Sequence, residues 1–370
     1  MTGRLFLENM SMRIHFICKR HYTNKDLIED QFGRLYHLPM ELARLGAQVI
    51  VDAIDYKNKF AKERDTEGVL FRSIPAAPAK LFSLPFSLYR NVSDVNPNII
   101  VASGDSHIGF MAMLIAYKLN AQFVFDVYDY YPAFLGNKIP GMKMMFRRAV
   151  KGANLVLCAS EPLLCELLPL NANRLLVENG VDRSLFVSED MMKARKILGL
   201  SQEAIFIGYF GSIDSNRGPL LIEACRILRQ EMPLLHLVIA GNVSRVDLSE
   251  NWIMYYGEVS QSKLPQMINA CNLVAVPYAI TPQITMSGAC KIAEYLSCGK
   301  TVVATRVAAH ERIFMEAPSS LCDPTSESLA EAIRCQILNP NVVAFPEELS
   351  WKKIGEKLYN SFLIMTEKNK

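Results

Sequence analysis

The stretch from Ile205 to Ala240 reads IFIGYFGSIDSNRGPLLIEACRILRQEMPLLHLVIA and shows the repeating unit of the fold. Its first apolar run, IFIGYF, ends at Gly211, and its last, LHLVIA, ends at Gly241. Between them, apolar residues recur at helical spacing over Leu220–Glu231. Short apolar runs joined by such a helix are typical of buried parallel strands linked by a helical crossover. The stretch therefore predicts one strand–helix–strand unit of an α/β sheet.

The same alternation continues on both sides of this stretch. Further strands are predicted at Arg13–Cys18, Gln48–Ala53, Asn98–Ala102, Gln122–Val127, Leu155–Ala159, Leu273–Val276 and Thr301–Ala304. The pattern restarts in the middle of the chain, so we predict two Rossmann-like, doubly wound domains of parallel strands, at residues 12–180 and 181–350. Residues 1–11 are expected to be a short extension, and a final helix is predicted over 351–365.

Composition excludes several classes of protein. Half of the 370 residues are hydrophobic and the net charge is +3, which argues against a disordered chain and gives no reason to expect a nucleic-acid partner. The nine cysteines form no CxxC pair and no cluster with histidine, so no metal site is predicted. We find neither a secretory signal nor an apolar run that would span a membrane, and therefore expect a cytoplasmic protein.

Ligands of open α/β sheets bind beyond the carboxyl ends of the strands, which points to two segments that can hold a nucleotide. In the first, Gly211 and Ser212 follow a strand and Arg217 precedes a helix, where a guanidinium suits a diphosphate but is equally compatible with a solvated turn. In the second, Lys291 and Glu294 share one helix face. A carboxylate there can bind a ribose diol, or the two can form a surface ion pair. Ser287 and Gly288 precede this helix and leave its amides open to an anion.

Two turns are further candidates for the same nucleotide site. The turn at Gly257–Ser260, with Val259 and then Leu264 opening a helix, either offers backbone groups to a nucleobase or only connects two elements. Asn179-Gly180 is a strong turn signal at the domain boundary and can simply set a hinge.

Further candidate site residues follow strands of the N-terminal half. Asp126 and Asp129 can act as a general base or cap the turn after their strand. Asp105 and His107 lie at another strand end, where His107 is either a site residue or a helix-start histidine. Gly33 and Arg34 open the first helix, where they can touch a bound phosphate.

The segment Ala79–Arg90 mixes aromatic, aliphatic and basic residues. It is compatible with a peripheral contact at the inner face of a membrane, and also with a loop buried against the core.

Taken in order, these segments resemble the retaining GT-B glycosyltransferases of glycosyltransferase family 4. The family's N-G-V-D-x-x-x-F junction is matched by Asn179–Asp182 and Phe186, and its F-x-G strand end with a following basic residue and glycine is similar to Phe210-Gly211 and Arg217-Gly218. Its G-x-V-x-x-x-x-L and E-x-x-x-x-G-x-x-V-V-A-T motifs are matched by Gly257, Val259, Leu264, Glu294, Gly299, Val302, Val303, Ala304 and Thr305. The good match covers about residues 175–310.

The resemblance implies a hexosyl- or related glycosyltransferase of polysaccharide biosynthesis, with two domains facing across a cleft. Lys291 and Arg217 would hold the diphosphate of a UDP- or GDP-sugar and Glu294 its ribose, without a metal or other cofactor. The acceptor would be a saccharide or a lipid-linked saccharide bound by the N-terminal half, with Arg34, Asp105 and His107 on the acceptor side and Gly33 on the donor side. The last helix would pack back onto the N-terminal domain.

Two departures stand out within this resemblance. Many members carry a second carboxylate eight positions before the ribose-binding one, where this chain has Met286, and many have arginine where Ser212 stands. A branch of similar enzymes has K-x-x-E-Y instead, as in Lys291–Tyr295.

Three alternatives are weighed against this interpretation. A dinucleotide-dependent oxidoreductase would need G-x-G-x-x-G after the first strand, and Cys18–Gly33 lacks it. A nucleotide-sugar epimerase of the same architecture would share the donor site. A non-enzymatic two-lobed nucleotide- or sugar-binding protein is the third alternative.

Overall fold

The computed structural model describes residues 12–22, 25–58, 60–77, 80–288 and 290–367, so the predicted extension at 1–11 lies outside the described residues. The chain forms two compact units. The first takes its residues from Met1–Ala159, Leu163–Val177 and Trp351–Lys370, and the second from Ser160–Pro162 and Glu178–Ser350. The main change of unit, at Val177–Glu178, therefore falls within three residues of the boundary expected at Gly180.

An eight-stranded sheet forms the centre of the first unit. Its strands, with the small β2–β3 hairpin, are β1 (Arg13–Lys19), β2 (His21–Tyr22), β3 (Lys25–Asp26), β4 (Gln48–Asp55), β5 (Glu63–Thr66), β6 (Val69–Pro75), β7 (Ile99–Ser103), β8 (Gln122–Val127), β9 (Leu155–Cys158) and β10 (Arg174–Leu176). The strand order is β10-β9-β8-β7-β1-β4-β6-β5, and only the edge strand β5 runs antiparallel to its neighbour. The strand order changes direction at β1, which is the topological switch point where such sheets bind ligands.

The helices of the first unit cover both faces of this sheet. They are α1 (Arg34–Arg44), α2 (Leu84–Val95), α3 (Ser106–Leu119), α4 (Met142–Gly152) and α5 (Glu161–Glu166), whose first two residues belong to the second unit. Because crossovers are right-handed, α1, on the path from β1 to β4, lies on one face, and α2, α3 and α4 lie on the other. On that second face α3 packs against both α2 and α4.

The second unit contains a six-stranded sheet in the order β13-β12-β11-β14-β15-β16, parallel throughout. The strands are β11 (Ile205–Phe210), β12 (Leu235–Ala240), β13 (Ile253–Tyr255), β14 (Leu273–Val276), β15 (Thr301–Thr305) and β16 (Leu321–Cys322). The helices are α6 (Met191–Leu198), α7 (Pro219–Arg229), α8 (Leu264–Ala270), α9 (Pro282–Thr285), α10 (Cys290–Ser297), α11 (Ala308–Ile313) and α12 (Ser326–Leu338). Apolar clusters on the two faces form two core layers, so the predicted fold of two doubly wound parallel sheets is confirmed.

The last helix, α13 (Trp351–Glu367), belongs to the first unit although it follows the second in sequence. Trp351, Ile354, Leu358 and Phe362 recur along one face and are buried in the core of the first unit. The Trp351 ring stacks on His37 of α1, with ring centroids 5.1 Å apart. The apolar face of α13 thus packs on residues that precede Gly180.

Candidate functional site

The carboxyl end of β11 carries the densest group of predicted donor residues. The ammonium group of Lys291, on α10, donates a 2.6 Å hydrogen bond to the carbonyl oxygen of Phe210, the last residue of β11. The Lys291 side chain crosses directly over Gly211, so a Cβ on Gly211 would overlap the end of that side chain. Gly211 is therefore the residue that lets a lysine reach this strand end.

Arg217 lies in the loop between β11 and α7, with its guanidinium held on two sides. Its Nη1 is 3.2 Å from a carboxylate oxygen of Asp214, and its Cζ is 5.6 Å from the centre of the Tyr278 ring. Burial raises the pKa of the Tyr278 hydroxyl, and the positive charges of Lys291 and Arg217 oppose that rise, so both cations act on one ring. The loop thus brings the two predicted diphosphate-binding cations together at one end of the sheet.

Glu294 lies one turn after Lys291 on α10 and is partly buried. Burial raises the pKa of its carboxyl to about 7, and the neighbouring Lys291 lowers it only in part. The next residue, Tyr295, accepts a hydrogen bond from the Phe210 amide through its hydroxyl at 3.0 Å, which fixes α10 against β11. A carboxyl that titrates near neutral pH beside a strand end is a frequent feature of ligand sites.

The turn at Gly257–Ser260 joins the same end of the sheet. The Gly241 amide donates to the Gly257 carbonyl at 2.8 Å, and Asn242 donates to the Glu258 carboxylate at 3.0 Å. Val259 and Leu264 are partly buried against the core, so their side chains hold the turn in place.

The remaining predicted donor residues differ in exposure. Ser212 is exposed, and its carbonyl accepts a hydrogen bond from the Tyr209 hydroxyl at 2.9 Å. Ser287 uses its hydroxyl to donate to the Ile284 carbonyl at 2.8 Å. Gly288 is described, whereas Ala289 lies outside the described residues. Gly33 lies in the first unit, at the start of α1, with a positive φ of 74° and the Tyr22 ring beside it.

A second group of polar side chains lies at the carboxyl end of the first unit's sheet. Asp105 precedes α3 and its carboxylate is 3.6 Å from the ammonium group of Lys19, at the end of β1. His107 Nε2 lies 2.6 Å from the hydroxyl of Tyr56, which follows β4. Burial lowers the pKa of His107, which keeps its imidazole neutral at pH 7. Asp105 and His107 therefore share one strand edge with a cation and a phenol.

Arg34 and Asp126 form a buried ion pair instead of lining this group. The Arg34 guanidinium donates through Nε and Nη2 to the Asp126 carboxylate at 2.5–2.9 Å, and through Nη1 to the Val177 carbonyl. Ser103 donates to the same carboxylate at 2.8 Å. Neither Arg34 nor Asp126 is more than 1% exposed, which argues against Asp126 as a base and against Arg34 as an acceptor contact. Asp129, two residues after β8, is partly exposed.

Three residues that the motifs do not include stand in these groups: Lys19, Tyr56 and Tyr278. Each follows or ends a strand, and the carboxyl ends of parallel strands meet at one edge of a sheet. That rule would have pointed to Lys19 and Tyr56, whereas the contact of Tyr278 with Arg217 depends on the path of a loop. Within the described ranges, no group of three or more His, Cys, Asp or Glu side chains is arranged to hold a metal ion.

Comparisons with known proteins bear on the family and on the fold. Residues 203–339 match the family model described as glycosyl transferases group 1. No curated protein matches the chain significantly. Among solved structures, HepE of Anabaena in complex with UDP has a TM-score of 0.72 at 17% identity, over 95% of this chain and all of that one. The same protein is also solved in complex with UDP-glucose.

Two further solved structures are similar over their whole length. Sucrose-phosphate synthase of Thermosynechococcus elongatus has a TM-score of 0.67 at 17% identity, covering 96% of this chain and 97% of that one. A UDP-forming α,α-trehalose-phosphate synthase of Burkholderia xenovorans, in complex with glucose-6-phosphate, has a TM-score of 0.69 at 12% identity, covering 95% and 99%. Residues 203–339 of the second unit therefore match glycosyl transferases group 1, and the chain as a whole has the GT-B fold of these solved structures.

Proposed function

We propose that the protein transfers a hexosyl residue from a UDP- or GDP-sugar to a hydroxyl group of a saccharide or lipid-linked saccharide, with retention of anomeric configuration. The observation that carries this proposal is the placement of Lys291 across Gly211, with Arg217 and Glu294 nearby, inside the segment that matches the glycosyl transferase family. The UDP and UDP-glucose complexes of HepE favour a uridine donor.

The donor's diphosphate is the leaving group of this reaction. The bond between the anomeric carbon and the diphosphate oxygen breaks, so negative charge increases on that oxygen in the transition state. Lys291 and Arg217 supply two fixed positive charges at the end of β11. These cations do what a bound metal does in other transferases, so we propose that turnover is independent of divalent ions and survives a chelator.

In this proposal Glu294 binds the ribose of the donor. Its carboxylate accepts hydrogen bonds from the two ribose hydroxyls, and its burial strengthens them because few water molecules compete. Met286 occupies the position of a second carboxylate in many relatives, so the donor sugar lacks that contact.

In this proposal the first unit binds the acceptor, at the carboxyl edge of its sheet, which carries Asp105, His107 and Asp129. A neutral imidazole can accept a hydrogen bond from an acceptor hydroxyl, and the lowered pKa of His107 keeps it neutral. His107→Gln should raise the KM for the acceptor at least tenfold while UDP affinity stays the same. Loss of UDP affinity in that variant would remove His107 from the acceptor site.

The test of the function is a calorimetric screen of UDP-, GDP- and ADP-sugars followed by product analysis. We expect one nucleoside diphosphate to bind tightly, and release of that diphosphate from its sugar only when an acceptor is present. An isomerised nucleotide sugar formed without acceptor would instead identify an epimerase, and binding without any turnover would identify a non-enzymatic binding protein.

A further inference from the structure

Residues 80–95, 106–119 and 131–152 of the first unit contain α2, α3 and α4 with the turns that lead into α2 and α4. Their exposed sides form one surface, here called the three-helix face. Helix α3 lies between the other two, and the Lys118 ammonium group on α3 sits 4.3 Å from the centre of the Tyr89 ring on α2. With about 1.5 Å of rise per residue and roughly 8–10 Å between neighbouring axes, the face measures on the order of 20 Å in each direction.

Charge on the three-helix face is strongly one-sided. Residues 80–95, 106–119 and 131–152 contain eight Lys or Arg residues and one acidic residue, Asp94. All eight basic residues are exposed. Their excess of seven positive charges exceeds the +3 of the whole chain, so the rest of the protein is net negative. Among the described residues, no ion pair involves Arg147 or Arg148 of α4.

Large apolar side chains project from the same face. Phe82 is 95% exposed, Phe86 70% and Tyr117 89%. Leu81, Leu114, Ile139 and Met144 are also exposed. On α2, Leu84, Leu88 and Val92 fill the core. The interpretation of Ala79–Arg90 as a buried loop therefore does not hold for the described part of that segment.

Apolar and basic side chains stand at helical spacing along α2, with the turn before it, and along α4. Phe82, Phe86 and Arg90 are four residues apart, and Met144, Arg147, Arg148 and Lys151 follow helical spacing on α4. Helices that lie in the plane of a membrane interface have this composition, with basic residues at the headgroups and aromatic residues between them. No helix of the described chain is long and apolar enough to cross a bilayer.

We propose that the three-helix face binds the surface of a bilayer that contains anionic phospholipids. The exposed apolar side chains insert into the membrane interface, while the basic residues contact lipid phosphates. An acidic protein would explain the charge but leave Phe82 and Phe86 in water, and a second copy of this chain would place like charges against one another.

The position of the apolar side chains indicates which edge of the first unit's sheet lies near the bilayer. Helices α2 and α4 follow strands, so their first residues lie at the carboxyl edge of the sheet, where Asp105 and His107 also lie. Phe82, Phe86 and Met144 are near those helix starts. An acceptor carried by a lipid would therefore be presented at the edge that holds the candidate acceptor residues. This last step rests on the proposed function, whereas binding to the bilayer does not.

Cosedimentation of the full chain with vesicles tests the proposal without any turnover. We expect binding to vesicles of phosphatidylcholine with phosphatidylglycerol, weak binding to phosphatidylcholine alone, and weaker binding as salt is raised. Each basic residue near an anionic surface contributes roughly fivefold to the partition coefficient. Arg147→Glu with Arg148→Glu, and separately Phe82→Ser with Phe86→Ser, should each reduce partitioning more than tenfold.

Matched controls come from α6 of the second unit, which also exposes basic and apolar side chains. Lys193→Glu with Lys196→Glu, and Met192→Ser with Ile197→Ser, should leave partitioning unchanged. Thermal unfolding of every variant checks that it is folded. Absence of binding by the unmodified chain overturns the proposal. So does full binding by the Phe82→Ser, Phe86→Ser variant, which would indicate a face for soluble polyanions. Self-association that this variant abolishes would identify a second copy as the partner and likewise overturn it.

Discussion

The ammonium nitrogen of Lys291 lies 2.6 Å from the carbonyl oxygen of Phe210, and its side chain reaches that oxygen by passing over Gly211. The lysine on α10 is thereby held at the end of β11, and its charge lies beside the loop that carries Arg217. This arrangement places a positive charge in advance, so little reorganisation is needed when a diphosphate leaves.

Removal of either cation should impair catalysis more than binding of the sugar donor. Lys291→Ala and Arg217→Ala should each lower kcat by more than tenfold, because the lost charge acts on the leaving group in the transition state. Steady-state kinetics with a saturating acceptor measures the effect. Lys263→Ala, at an exposed lysine before α8, is the matched control and should keep normal turnover. Near-normal kcat in Lys291→Ala would exclude that residue from the diphosphate site.

Glu294 should contribute to nucleotide affinity and cost stability. Glu294→Ala should weaken nucleoside diphosphate binding by roughly 1.5–3 kcal/mol for each charge-assisted hydrogen bond to the ribose that is lost. Isothermal calorimetry measures this, and unchanged affinity in a folded variant would reject the assignment.

The raised pKa of Glu294 predicts a second effect, on stability without ligand. Its folded-state pKa of about 7 lies above the ordinary value of 4.5, so the folded protein binds the proton more tightly than the unfolded chain does. Stability therefore falls as pH rises between these two values, because the buried carboxyl must ionise. Glu294→Gln should raise Tm at pH 8 and change it little at pH 4. An equal change at both pH values would contradict the burial of this carboxyl.

Alanine at Gly211 and at Gly241 should have different consequences. A Cβ on Gly211 meets the flexible end of Lys291, which can swing away, but the φ of 155° strains any other residue there, so Gly211→Ala should lower Tm moderately and lose turnover. A Cβ on Gly241 meets the backbone of Gly211, which cannot move as easily, so Gly241→Ala should lower Tm. Parallel measurement of kcat and Tm separates the two cases. Equal loss of Tm in both variants would contradict the expectation that the end of Lys291 yields more easily than the Gly211 backbone.

The last helix should stabilise the first unit. Leu358 is fully buried, so Leu358→Ala should lower the free energy of unfolding by about 2–5 kcal/mol. Removal of residues after Ser350 should destabilise the protein further and reduce the transfer rate. Urea unfolding measures the stability of both variants, and a transfer assay measures the rate. Lys352→Ala, at an exposed position of the same helix, is the control. A truncated chain with unchanged stability would show that the packing of Trp351 and Phe362 is dispensable.

The sequence predicted the strands well because buried parallel strands are continuous apolar runs, as in IFIGYF and LHLVIA. Segments that carry less apolar character were missed, such as the two-residue strands His21–Tyr22 and Lys25–Asp26. The order of the donor motifs pointed to Gly211, Arg217, Lys291 and Glu294, which the structure places around one sheet end; their roles stay predictions.

The contacts that the sequence did not predict join positions that are far apart along the chain. The Arg34–Asp126 pair joins residues 92 positions apart, and no local pattern distinguishes a buried carboxylate at a strand end from one that faces a ligand. The same holds for Tyr56 beside His107, which are 51 positions apart, and for Tyr278 beside Arg217.

The return of α13 to the first unit has a consequence for synthesis on the ribosome. A chain is made from its N-terminus, and domains generally fold as they emerge. The docking surface for Trp351, Leu358 and Phe362 is made early, but these residues are translated only after the second unit. The second unit, whose residues end at Ser350, can therefore finish folding before the first, which keeps an uncovered apolar surface until α13 has been translated.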